Sequence, residues 1–172
     1  GKKKGKVVFV TSSVKGEGKT FVSVNLGLTI ASPNKKTIII GADIRNPQLQ
    51  RYNEERKGLK GLTEFLYEDS LDYKTLVHKS IYNQYLDVMY SGSIPPNPTD
   101  LLSNGKFENL IEELSQYYDY IILDTAPLML VTDSFLIAET ADITLYVVRS
   151  RYTEKSLIDF AKKNHESKKI KN

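Results

Sequence analysis

Residues 6–20, KVVFVTSSVKGEGKT, constrain this chain more than any other stretch, because a glycine-rich turn there joins a short apolar run to a helical pattern. Val7, Val8, Phe9 and Val10 are β-branched or aromatic and read as a buried strand. Val22, Val24, Leu26, Leu28 and Ile30, separated by small or polar residues, read as a helix. Between the two, Gly16 and Gly18 carry no Cβ, so backbone N–H groups can close around anionic oxygens that a side chain would hold away. The helix N-terminus that follows adds unpaired donors and a partial positive charge. Strand, turn and helix together form a phosphate cradle.

Lys19 is placed to reach the β and γ phosphates of a nucleotide, and the Thr20 hydroxyl to ligate Mg²⁺, which is the chemistry of the Walker A loop. The usual pattern G-x-x-x-x-G-K-[ST] is altered, since Ser13 stands where its first glycine would be and Lys15 precedes Gly16. A second apolar strand, 37–40, runs into Gly41-Ala42-Asp43-Ile44-Arg45-Asn46-Pro47. An acid at such a strand end lies near the region where open α/β sheets bind ligands, so Asp43 is a candidate for contact with the metal or its waters. The same residue type also caps turns ahead of proline, and both readings stand for Asp43. Further on, Tyr120 and the apolar run Ile121-Ile122-Leu123 end in Asp124, the form of a Walker B strand whose carboxylate holds Mg²⁺ directly or through water.

The remaining chain alternates strand and helix. A short helix is expected over 62–67, a partly buried element at Leu76 and Val77, and an alternating strand over 86–90. The proline-rich run 91–98 reads as a stiff loop at the sheet edge, because proline removes a ladder donor, with Thr99 as N-cap of a short helix through Leu102. Phe107, Leu110, Ile111 and Leu114 recur at helical spacing opposite Glu108, Glu112 and Glu113. Thr132 or Asp133 is expected to cap a helix through Ala138, a strand follows over 143–148 with Tyr146 inside it, and a last helix over 153–163. This alternation implies a mainly parallel sheet flanked by helices, an α/β fold in one domain spanning 1–172.

Composition narrows the chemistry. The 24 Lys and Arg exceed the 21 Asp and Glu mainly through Lys2 to Lys4 and Lys168, Lys169 and Lys171, which read as solvated ends. The interior shows no clustered basic face, so no nucleic-acid partner is expected. Without cysteine there is neither a disulfide framework nor a thiolate metal site. His78 and His165 are expected at the surface. No apolar run approaches the roughly 20 residues that span a bilayer, so this piece is expected to be soluble.

Taken together, SSVKGEGKT, IIIGADIRNP and YIILDTAP resemble the Walker A, A′ and B segments of the bacterial tyrosine kinases, the cytoplasmic kinase domains of exopolysaccharide and capsule export systems. YSGSIPPNPTDLL resembles a further loop of that family, and the likeness runs from Lys6 to about Ser150. It implies a three-layer P-loop NTPase fold of the deviant Walker A class and autophosphorylation on tyrosine with MgATP. It implies a nucleotide-binding segment of Lys15, Gly16, Glu17, Gly18, Lys19, Thr20 and Phe21, metal ligation by Thr20, Asp43 and Asp124, and catalytic roles for Lys19, Asp43 and Asp124. The family's A′ segment usually carries two Asp one residue apart. Gly41 occupies the first position here, so Asp43 alone would orient or deprotonate the tyrosine hydroxyl.

The resemblance also implies a homo-oligomer at the cytoplasmic face of the inner membrane. Its substrate would be a tyrosine-rich tail of its own or a neighbouring subunit, and its partner a transmembrane polysaccharide co-polymerase segment. The family's assembly helix before the P-loop, its last strand and its tyrosine tail have no counterpart in the sequence, so a trimmed kinase core is expected. Two alternatives remain. A partition or division-site ATPase would use Lys15 across a nucleotide sandwich dimer, and a nucleotide-gated scaffold with little catalysis would account for Gly41.

Overall fold

The computed structural model describes residues 4–171; Lys2 and Lys3 lie outside the described residues. In chain order the elements are β1 (Lys6–Ser12), α1 (Lys19–Ile30), β2 (Thr37–Gly41), α2 (Leu62–Tyr67), β3 (Val77–Lys79), β4 (Leu86–Met89), α3 (Pro98–Leu102), α4 (Lys106–Leu114), β5 (Tyr120–Asp124), α5 (Asp133–Glu139), β6 (Ile143–Val147) and α6 (Lys155–Glu166). Short 3₁₀ turns occupy Leu49–Tyr52, Glu54–Arg56 and Tyr73–Leu76. The six strands form one sheet in the order β3-β4-β2-β5-β1-β6, parallel throughout except where β3 runs against β4.

Continuous apolar runs mark the strands that are covered on both faces. Successive residues of β2 and β5 feed opposite cores. Ile38, Ile40, Ile121 and Leu123 join Phe9, Phe107, Leu110, Leu114 and Ile137 on one side. Ile39 and Ile122 join Val10, Val24, Leu86 and Val88 on the other. Helix α1 thus covers one face, while α2, α4 and α5 cover the other, giving three layers. Sheet register brings three strand ends level, with Asp124 facing Val10 of β1 and Gly41 of β2.

Several expectations are corrected. The proline-rich loop does not lie at the sheet edge, because β3 pairs with β4 and takes the edge itself. Thr99 is not a cap: Asn97 occupies that position and Pro98 opens α3, where its missing N–H is no loss. Thr132 stands at the N-cap of α5, as one of the two expected residues, but makes no side-chain cap hydrogen bond. The last helix begins at Lys155, since the Thr153 hydroxyl accepts from the Arg149 amide at 2.8 Å and belongs to the preceding turn. The basic ends are not simply solvated, because Lys4 pairs with Glu112 and Lys171 donates to the Glu139 carbonyl at 3.1 Å. His165 is exposed as expected, but His78 is half-buried, 6.3 Å from the Tyr90 ring.

One polar clasp locks the loop after β2 onto the helices. Asp133, 3% exposed, accepts from Arg45 Nε at 2.7 Å and from the Thr99 hydroxyl at 2.6 Å. Arg45→Ala leaves that carboxylate buried and uncompensated. The expected cost is about 2 kcal/mol, below the roughly 3–5 of fully enclosed pairs because the guanidinium still meets water. Urea unfolding of Arg45→Ala beside Arg45→Ala/Asp133→Asn checks this: the double variant recovers stability, and equal losses would mean that the stranded charge is not the cause.

Candidate functional site

At the C-terminal end of β1 the chain turns through Gly16 (φ 86°) and Gly18 (φ 92°), left-handed conformations that favour glycine, and enters α1 at Lys19. Among the described residues, the N–H groups of Lys15, Gly16, Glu17 and Gly18 take no part in the turn and loop hydrogen bonds. They remain available to a ligand. In the first turn of α1 the Thr20 hydroxyl donates to Asp124 Oδ2 at 2.8 Å. Ser23 Oγ lies 3.2 Å from Asp124 Oδ1 and 2.9 Å from the Lys19 carbonyl, and its single proton serves one of them at a time.

Asp124 is 2% exposed, and burial pushes its carboxyl up to about 6, against the pull of the Thr20 hydroxyl, the Lys19 charge and Ser23. Asp43 lies on the neighbouring strand end. The amides of Ala42 and Asp43 donate to the Asp124 carbonyl at 2.8 and 3.0 Å, fixing the two acidic segments to each other. Burial raises the Asp43 carboxyl as well, opposed by the Asn46 amide and by the charge of Lys19. Of the two sequence readings of Asp43, the turn cap is observed: its Oδ1 accepts from the Asn46 amide at 2.9 Å, ahead of Pro47.

A cavity of about 210 Å³ opens at this point, lined by Lys15, Gly16, Gly18, Lys19 and Thr20 from the phosphate loop and by Asn46, Gln48, Arg51 and Tyr52 from the segment after β2. The last four residues escaped sequence reasoning. They sit in or beside a 3₁₀ turn, which has no periodic apolar signature, and their only signal was position a few residues beyond Asp43.

The side chains of Glu17 and Phe21, expected in the nucleotide-binding segment, do not line the cavity. Glu17 is 4% exposed and folds into its own loop, accepting from the Val14 amide at 3.0 Å and from the Thr153 hydroxyl, so its carboxylate shapes the loop and does not face the cavity. Phe21 is 63% exposed on α1 and does not line the cavity. Sequence reasoning also missed the support behind the loop. Tyr152 Oη donates to the Lys15 carbonyl at 2.8 Å, Arg149 Nη1 to the Gly16 carbonyl at 2.9 Å, and Ser13 Oγ meets Tyr146 Oη at 2.7 Å. These contacts follow from topology: β6 lies against β1, so the turn after β6 abuts the turn after β1.

Gly41 ends β2 in close contact with Ser91. A Cβ there would lie 2.5 Å from Ser91 Oγ and 3.1 Å from its backbone nitrogen. That hydroxyl donates to the Gly41 carbonyl at 2.7 Å.

The donors present suit MgATP. Amides and Lys19 match phosphate oxygens, and the oxygen pair of Thr20 and Asp124 suits a hard cation. Among the described residues no group of three or more His, Cys, Asp or Glu side chains could hold a metal unaided. A metal here would be shared with the phosphates.

Residues 5–171 match the AAA domain family. The chain is 38% identical over 161 residues to tyrosine-protein kinase CpsD of Streptococcus pneumoniae, covering 94% of this chain and 70% of that protein. The kinase domain of Escherichia coli tyrosine kinase ETK superposes with a TM-score of 0.87 at 26% identity, over 95% of this chain and 63% of that one. A plasmid partition protein from Borrelia burgdorferi shares the fold, with a TM-score of 0.70 at 18% identity over 95% of this chain and 74% of that one.

Two predictions follow from the geometry. Because the folded-state value of Asp124 lies above the ordinary 3.8, the ligand-free protein binds this proton more tightly than the unfolded chain does, and its stability falls as pH rises from about 4 to about 6. Asp124→Asn is therefore expected to stabilise the ligand-free protein at pH 7 by up to about 3 kcal/mol, with the gain gone below about pH 4. Denaturant titrations at both pH values check it, and a loss at pH 7 would contradict it. For Gly41→Asp, the contact with Ser91 predicts destabilisation of about 1–3 kcal/mol. Thermal melts should show partial recovery in Gly41→Asp/Ser91→Gly, since the backbone approach remains; a fully stable single variant would mean that Ser91 yields freely.

Proposed function

Because the chain belongs to the bacterial tyrosine-protein kinase family, we propose that it transfers the γ-phosphoryl group of ATP to tyrosine in a Mg²⁺-dependent reaction. The observation that carries this reading is a cavity lined by Lys19 and Thr20 beside a loop whose amides are open to phosphate, with the Thr20 hydroxyl bonded to the buried Asp124 carboxylate and the Asp43 amide bonded to the Asp124 carbonyl. Lys19 and the amides of residues 15–18 bind and orient the phosphates, where preorganised donors stabilise developing charge. Thr20 and Asp124 would hold the metal, which would supply positive charge against the charge that develops on the phosphates. Asp43 accepts the proton of the attacking tyrosine hydroxyl. Burial raises its carboxyl, which strengthens it as a base provided that it is ionised at the working pH.

The chain spans 70% of the CpsD kinase and 63% of the ETK kinase domain. Substrates and assembly are accordingly part of the proposal. We place this single kinase domain at the cytoplasmic face of the membrane, acting in capsule or exopolysaccharide export. Its substrate is a tyrosine-rich segment of its own or a neighbouring subunit, and its partner a membrane-spanning co-polymerase segment. Among the described residues no helix is long and apolar enough to cross a membrane, which fits anchoring through such a partner.

Incubation of the full-length chain with MgATP, followed by phosphotyrosine blotting, tests the reading. Phosphotyrosine is expected from the parent and none from Lys19→Ala. Release of free phosphate without phosphotyrosine would instead favour a partition-type ATPase, to which the exposed Lys15 at the cavity rim lends itself. Asp43→Asn should slow phosphorylation of a tyrosine peptide by about 10²-fold or more, and a rate within about twofold of the parent would remove Asp43 from the proton transfer.

A further inference from the structure

Five tyrosines are substantially exposed: Tyr67, Tyr82, Tyr85, Tyr117 and Tyr152. Tyr152 differs from the rest because its hydroxyl is committed to the phosphate loop, donating to the Lys15 carbonyl at 2.8 Å. Its ring backs directly on Gly16, where a Cβ would meet Tyr152 Oη at 2.6 Å. Arg149 stacks 5.2 Å from the ring centroid and donates to the Gly16 carbonyl at 2.9 Å. One residue further on, the Thr153 hydroxyl bonds the Glu17 carboxylate. Three consecutive loop residues, 15 to 17, are therefore held from behind by three residues of one turn.

We propose that Tyr152 is a phosphorylation site through which a second copy of this chain loosens the phosphate loop and weakens nucleotide binding. The inference rests on the kinase reading. Tyr152 Oη binds the carbonyl side of the loop, whereas phosphate is taken by the N–H side, so the hydroxyl faces away from its own nucleotide and the donor is another copy. In the reaction, Tyr152 Oη bonds to the γ-phosphorus of ATP held by that copy, and the bond from γ-phosphorus to the β,γ-bridging oxygen breaks. ADP leaves with that electron pair, and the phenolic proton passes to the donor copy's base.

Modification removes the donor to the Lys15 carbonyl, because the phosphorylated oxygen carries no hydrogen. It also adds a charge of roughly −1.5 to −2 with strong acceptor oxygens. Arg149 is within reach of that charge and exchanges its neutral carbonyl partner for a charge-assisted contact. Two of the loop's three outer ties are then lost, and a new anion sits behind a site built for anions.

The full-length parent is incubated with MgATP, a tyrosine peptide and an excess of the Lys19→Ala chain as acceptor, and phosphotyrosine is mapped by tandem mass spectrometry. In parallel, phosphotyrosine is installed at position 152 by genetic encoding, and Mg·ADP affinity is measured by calorimetry against the unmodified chain. Phosphate on Tyr152 of the Lys19→Ala chain, together with affinity at least about tenfold weaker in the modified chain, is the expected result. A phosphorylated peptide with Tyr152 unmodified overturns this proposal and leaves the kinase reading intact, whereas absence of phosphate on both overturns the two together. Unchanged Mg·ADP affinity with phosphate at position 152 overturns the switch.

Discussion

The Asp124 carboxylate, sealed at the end of β5 against the first turn of α1, is the constraint on which the site depends. Its two oxygens face Thr20 and Ser23, one helical turn apart on a helix that begins at the phosphate loop, so the carboxylate fixes both the pitch and the rotation of α1. Its backbone carbonyl receives the amides of Ala42 and Asp43. A single residue thereby sets the relative positions of the loop after β1, the helix after it and the acid after β2. Such an arrangement is unfavourable in isolation, because a buried charge without a full counter-charge is costly. A cation bound there would balance what the fold leaves unbalanced.

The sequence was most legible where local chemistry and burial agree. Val7 to Val10, Ile38 to Ile40 and Ile121 to Leu123 sit in the centre of the sheet, covered on both faces, and their continuous apolar runs announce that. The amphipathic α4 and the glycine pair of the phosphate loop were equally plain. Legibility failed where a partner from a distant part of the chain decides the outcome. Thr99 has the composition of a cap, yet a buried Asp133 34 positions away claims its hydroxyl. Glu17 lies within the phosphate motif, yet its carboxylate is absorbed by Val14 and Thr153. Tyr52 and Arg51 line the cavity from a 3₁₀ turn that has no periodicity to read.

The altered phosphate loop is coherent with its surroundings. Ser13, in place of the usual first glycine, points its hydroxyl to Tyr146 of β6, and so converts a position normally without a side chain into a tether. The turn after β6 then grips the carbonyl side of residues 15 and 16. A loop whose N–H groups must all converge on one ligand has its carbonyls turned outward, where they need partners of their own. Arg149 and Tyr152 supply them. The loop is thereby held in place from behind, and preorganisation of this kind lowers the entropy cost of binding an anion.

Charge balance at the cavity explains why one acid at the end of β2 is workable. Burial raises the carboxyls of both Asp43 and Asp124, and at Asp124 the Asp43 charge raises it further. Lys19 opposes this at both sites. A further carboxylate at residue 41 would enter at the strand position that faces Asp124 and push both values higher. It would also compete with Ser91, whose hydroxyl now satisfies the Gly41 carbonyl. With glycine at 41 the site gives up a possible ligand but keeps Asp43 closer to its ionised form, the form in which it can accept a proton. The single acid and the serine that fills its neighbour's place are thus one compensated arrangement, in which packing and proton chemistry point the same way.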